Sequence, residues 1–127
     1  MAGFKRFEEI EAWQQARKLS LGLHRTIEET ALAKNFVLRD QISRAAVSVA
    51  ANIAEGFARN SNADFARFLD LSRGSCAELQ SHLYLAYDLR LLEKEKFAAL
   101  YQQVERTSAL IGGLILSLRN NRPQRTR

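Results

Sequence analysis

Proline occurs once and glycine six times in 127 residues. That is too few of either to punctuate a turn-rich sheet protein, and it leaves the chain free to form long uninterrupted helices. Cysteine also occurs once, as Cys76, which excludes an internal disulfide framework and fits a reducing compartment. The two histidines, His24 and His82, have no matching cysteine or nearby carboxylate pattern. The chain also lacks the Glu-x-x-His repeat that builds a di-iron bundle, so no metal and no cofactor are expected. Cys76 falls on an apolar helical face, where it reads as a small buried hydrophobe and not as a nucleophile. No serine, histidine and acid set can be assigned, so no catalytic residue is named and the reading is non-enzymatic. No apolar run approaches the roughly 20 residues that span a bilayer. The start, MAGFKRFEEIEAW, has no apolar stretch before its first acids, which predicts no signal peptide. The expected setting is the cytoplasm, away from membranes.

Hydrophobic residues make up 46% of the chain and charged ones 26%. This is a globular balance, and the length suits one domain with its own core. Ile10, Trp13, Ala16, Leu19 or Ser20, Leu23 and Ile27 follow a helical period. Leu38, Ile42, Ala45, Val49 and Ile53 make a second stripe. Phe65, Phe68, Leu69, Ser72, Cys76, Leu79, Leu83 and Ala86 or Tyr87 make a third. The fourth is Phe97, Leu100, Tyr101, Val104, Ser108, Ile111, Leu114 or Ile115, and Leu118. These stripes predict helices over about residues 8–30, 36–58, 62–90 and 93–118. Asn35 and either Ser61 or Asn62 stand as N-caps, and Asn120, Asn121 and Pro123 are read as the stop of the last helix. Four such segments with short links make an all-α, antiparallel up-down-up-down four-helix bundle in a single domain, 1–118, followed by a flexible basic tail, 119–127.

The second segment is unusual. Between Arg44 and Glu55 it carries no charge. Ala46, Val47, Ala50, Ala51 and Ala54 spread the apolar surface beyond the core stripe. A helix apolar around most of its circumference needs cover on more than one side. One small bundle core hides only one, so a second subunit is the expected cover.

Net charge is +5, and the last nine residues hold four arginines (Arg119, Arg122, Arg125, Arg127) and no acid. Two roles fit this tail: phosphate contact, or a solubilising terminus. Candidate nucleic-acid contacts on the helices are Arg39, Arg44, Arg59, Arg67 and Arg73, with Lys5 and Arg6 beside the first helix. The competing reading pairs Arg39 with Asp40, Arg67 with Asp70 and Arg73 with Glu78 as a mixed, solvated surface. No base-reading module is present, so any binding would be to backbone or shape.

The run from Gln41 through Ser43, Arg44, Ser48, Asn52 and Glu55 to Gly56 resembles the signature of a bacterial four-helix-bundle family. Its members include proteins encoded in intervening sequences of large-subunit ribosomal RNA genes. Trp13, Arg59, Phe65, Phe68, Leu69, Gly74, Ser75, Glu78 and Leu79 extend the likeness over roughly residues 7–118. The family often has proline between Val49 and Asn52; Ala50 and Ala51 stand there instead, which removes a kink. The resemblance implies a homo-oligomer, a pentameric ring, with association to ribosomal RNA or the ribosome. Relatives of this bundle also serve as accessory subunits of reverse transcriptases. A protein–protein scaffold without its own nucleic-acid site is therefore the alternative to RNA binding. Within the signature, Asn52 is expected to form a structural network with Ser48 and Glu55, and Glu55 to pair with Arg59. Trp13 reads as a packing anchor. Gly56, Gly74, Gly112 and Gly113 read as points of close backbone approach, not as a phosphate cradle.

Overall fold

The computed structural model describes residues 3–125, with side chains as far as Asn120. Four helices follow one another: α1 (Glu11–Glu29), α2 (Phe36–Ala58), α3 (Asn62–Asp88) and α4 (Lys94–Arg125). No strand is present among the described residues. Each helix runs antiparallel to its sequence neighbour, and α1 also packs on α4, closing the bundle. The first helix begins later than its periodicity suggests, because Phe7–Glu9 forms a separate 3-10 turn. The link from α1 to α2 is a second 3-10 turn, Ala31–Lys34.

The four apolar stripes meet in one core. Leu19 and Leu23 of α1, Ile42 and Ile53 of α2, Phe65, Leu79 and Leu83 of α3, and Val104 and Ile111 of α4 are all at most 1% exposed. Where periodicity left a choice, Leu19, Ala86 and Ile115 face inward. Buried Thr107 takes the inward place expected of Ser108, and its hydroxyl donates to the Gln103 carbonyl at 2.9 Å. Thr26 does the same toward Gly22 at 2.9 Å, so neither buried hydroxyl is left unpaired.

Asn35 caps α2 by accepting from the Leu38 N–H at 3.1 Å, and Ser61 caps α3 by accepting from the Asp64 N–H at 3.0 Å. Asn60, at φ 61°, supplies the left-handed turn between them. Ser61→Ala removes this cap and is expected to lower stability by about 1 kcal/mol, read by urea denaturation.

The fourth helix corrects one expectation. Its backbone continues past Leu118 through Asn120, Asn121 and Pro123 to Arg125. Asparagine costs a helix interior only about 0.7 kcal/mol relative to alanine, too little to stop a helix already docked along its length. Pro123 falls in the last turn, where its missing N–H forfeits a bond at the end of the ladder and not in its middle. The arginine-bearing stretch thus begins as an extension of α4.

Candidate functional site

Ser48, Asn52, Gly56 and Ser75 of the signature meet at the seam where α2 and α3 face each other, whereas Arg44, Glu55, Gly74 and Glu78 are exposed. Ser72 Oγ donates to the Val49 carbonyl at 2.7 Å, a buried bond that sets the register of the two helices. One turn along, the Ser75 and Ser48 hydroxyls meet at 2.9 Å. Asn52 Nδ2 donates to both the carbonyl and the hydroxyl of Ser48, each at 2.9 Å. The expected network is therefore real but differently wired. Asn52 braces Ser48 within α2, and Ser48 carries the bond across to α3. Glu55 is not a member, because its carboxylate turns to Arg59 at 3.0 Å. Gln41 lies half-buried on the same side of α2. On α3, Glu78 Oε2 lies 3.6 Å from His82 Nε2, too far for a hydrogen bond.

Gly56 is the one glycine of the four that the packing requires. A Cβ there would stand 2.5 Å from Phe68 Cβ and 3.3 Å from the Phe65 carbonyl. Gly74 and Gly113 face open space, and Gly112 meets only the far end of Arg73. The expectation of close approach at those three is corrected: Gly74 and Gly113 are exposed, and Gly112 is half-buried beside the flexible Arg73 side chain. Trp13 is half-buried against the core, edge-on to Phe7 at 5.0 Å with the Arg17 guanidinium 5.8 Å above it.

The nucleic-acid candidates do not form one patch. Arg39 pairs with Asp40 at 3.2 Å, donates to the Ala33 carbonyl at 3.2 Å and lies over Phe36 at 4.8 Å. Arg59 and Arg67 flank the ring of Phe68 at 5.0 and 4.6 Å, at the opposite end of α2. Arg67 pairs with Asp64 at 3.6 Å and not with Asp70, which instead meets Arg119 at 3.7 Å. The expected Arg73–Glu78 pair is absent; residues five apart do not share a helix face. Arg44 and Arg73 are exposed and have no carboxylate within 4.0 Å among the described residues. The side chains of Arg122 and Arg125, and the whole of Arg127, lie outside the described residues.

Two surface features differ from the periodicity reading, which puts Phe97, Tyr101 and, as an alternative to Ala86, Tyr87 on apolar stripes and passes over Tyr84. Tyr84, half exposed, joins Phe97 at 5.1 Å and Tyr101 at 5.4 Å, and Tyr87 stacks on Phe97 at 5.0 Å. The four make an aromatic ridge along α3 and α4, and the neighbouring Tyr84 phenol holds that of Tyr101 above its ordinary value. The other is the run of cations on α1, legible as a stretch without acids between Glu11 and Glu28.

Among the described residues no group of histidine, cysteine, aspartate and glutamate could hold a metal, and no helix is long and apolar enough to cross a membrane. Burial pushes the Cys76 thiol up to about 11. The folded protein is expected to resist iodoacetamide at pH 8 and to react only once denaturant opens the core. Fast alkylation under native conditions would contradict its burial.

A family model described as 23S rRNA-intervening sequence protein matches residues 8–113. The chain is also similar to a solved structure from Bacteroides thetaiotaomicron, described as a protein with unknown function from the S23 ribosomal protein family. The two are 20% identical; the match covers 82% of this chain and 97% of that one, at a TM-score of 0.75. No curated protein matches the chain significantly.

Proposed function

This chain belongs to the 23S rRNA-intervening sequence protein family, and from that premise we propose that it is a non-enzymatic, self-associating bundle that binds RNA or a ribonucleoprotein in the cytoplasm. The observation that carries the reading is the outer face of α2. Val37 is 77% exposed and Val47 53%. Ala51 and the unpaired Arg44 are exposed on the same face. The apolar residues suit a second copy of the chain, since the described residues of this one leave them exposed. A ring of identical subunits, five by the resemblance, would repeat cations outside that contact, such as the unpaired Arg73 of α3, around its circumference and multiply a weak field.

A fluorescence titration of structured ribosomal RNA and an unrelated RNA, across a salt series, tests the RNA reading. The full chain is compared with one ending at Leu118, once both are shown to assemble alike. Binding that weakens steeply with salt is the expected result, because each neutralised phosphate releases counterions. A further loss on truncation would assign phosphate contacts to the arginines beyond Leu118. No binding by either chain near 0.1 M salt would contradict direct RNA recognition.

The second reading is a protein-docking scaffold, such as an accessory subunit of a reverse transcriptase. It is favoured by the ion pairing of Arg39, Arg59 and Arg67, which leaves those candidates as a solvated surface. Salt separates the two, since an apolar docking face does not weaken as ionic strength rises.

A further inference from the structure

We infer that the outer face of α1 is where this protein takes the phosphate backbone of RNA, with Arg17, Lys18 and Arg25 as the contacting cations. The inference rests on the RNA reading above and names the surface for it.

Charge distribution is the first support. Between Glu11 and Glu28, α1 carries Arg17, Lys18 and Arg25 and no acid. All three are exposed. None has a carboxylate within 4.0 Å among the described residues, whereas Arg39, Arg59, Arg67 and Arg119 are each paired. An unpaired guanidinium has its donors free for a phosphate, while a paired one must first give up its carboxylate.

Helix geometry is the second. With a core side defined by buried Ala12, Ala16, Leu19 and Leu23, positions 17, 18, 21 and 25 fall on the side away from it. Arg17 and Arg25 are about 12 Å apart along the axis at ~1.5 Å per residue, so one stretch of backbone can meet both. Arg17 is also held in place. Its guanidinium lies 5.8 Å over the Trp13 ring, with the indole in turn braced by Phe7. A guanidinium steadied on an aromatic ring loses less freedom when it grips a phosphate.

Acids border the face but do not fill it. Glu8 borders the groove of Arg17 and Lys18 but is engaged with Arg6 at 3.7 Å, Glu11 lines the groove toward α4 that Arg106 also lines, and Glu28 and Glu29 mark the far end. Leu21, 52% exposed, stands among the cations and offers apolar contact to a sugar or base. A two-fold second copy on this face would bring like charges together, and the ring contact proposed above lies on the neighbouring face of α2, where Val47 borders the groove lined by Arg17 and Leu21.

The test uses the full chain and a fluorescein-labelled RNA hairpin over a salt series. One variant carries Arg17→Ala, Lys18→Ala and Arg25→Ala. A control carries Arg39→Ala, Arg59→Ala and Arg67→Ala. A third, Arg17→Lys with Arg25→Lys, keeps the charge. Circular dichroism and light scattering accompany every titration. The α1 variant should lose roughly tenfold or more in affinity, with a log–log salt slope shallower by about 2–3, while the control and the lysine version keep the original slope. Loss of binding in the control but not in the α1 variant would overturn the α1 assignment and leave RNA binding standing. Loss in the α1 variant together with a changed particle mass would make the face a subunit contact and overturn it too. No binding by the unaltered chain would remove the RNA reading itself, and this inference with it.

Discussion

Phe65→Ala is expected to cost the fold about 3–5 kcal/mol. The ring is wholly buried, sits edge-on to Phe57 at 5.8 Å and lies directly beneath Gly56. Removing it leaves a cavity at the α2–α3 turn, where two helices and their connection must all collapse to refill the space. A loss of that size is a large share of the ~5–15 kcal/mol that holds a typical domain together. Urea denaturation should show a much lower midpoint with little change in slope. A loss below about 1 kcal/mol would mean that this end of the bundle is loosely packed in solution.

Gly56→Ala should lower stability by about 1–3 kcal/mol, the reverse of what the substitution does in an ordinary helix. Elsewhere in a helix interior, alanine in place of glycine gains about 0.8–1 kcal/mol. At position 56 the added Cβ would stand 2.5 Å from Phe68 Cβ, an atom fixed to the α3 backbone, so the helices themselves must separate. Phe68 cannot give way by rotating, because its Cβ does not move with χ1. Gly74→Ala is the internal comparison: it sits mid-helix with nothing within 4 Å of the new methyl, and should raise the melting temperature. If both substitutions stabilise, α2 and α3 are farther apart at this point than described. If both destabilise, Gly74 is covered by something outside the single chain.

Most of the fold was legible because buried positions repeat every 3.6 residues and the links carry strong caps. Ile42, Val49 and Ile53 on α2, and Phe65, Leu69 and Leu79 on α3, are interior for that reason. Boundaries were less so. Asn120, Asn121 and Pro123 read as a stop, yet α4 passes through them, since local propensity is weak against a helix already in register. The candidate site was legible as residue types but not as partners. Spacing placed Glu55 and Arg59 together, as found. It could not tell that Asn52 would bond within its own helix while Ser48 and Ser75 made the crossing, because that depends on the rotation of α2 against α3. Arg67 likewise had carboxylates at both three-residue spacings, Asp64 and Asp70. The choice of Asp64 goes with the engagement of Asp70 by Arg119 from α4. The excess apolar surface of α2 translated in part: Val47 and Ala51 remain exposed after the bundle has closed, Ala50 and Ala54 are half-buried, and Ala46 goes into the core.

That open face is the centre of the account, and light scattering tests it most directly. At micromolar concentration the chain should form a particle of at least twice 14.4 kDa, in whole multiples of it, fivefold by the resemblance. Val47→Asp should break it down to single chains of unchanged helicity. A particle of 14.4 kDa from the unaltered chain would contradict the account, leaving Val37, Val47 and Ala51 as plain surface and the ring without a subunit contact.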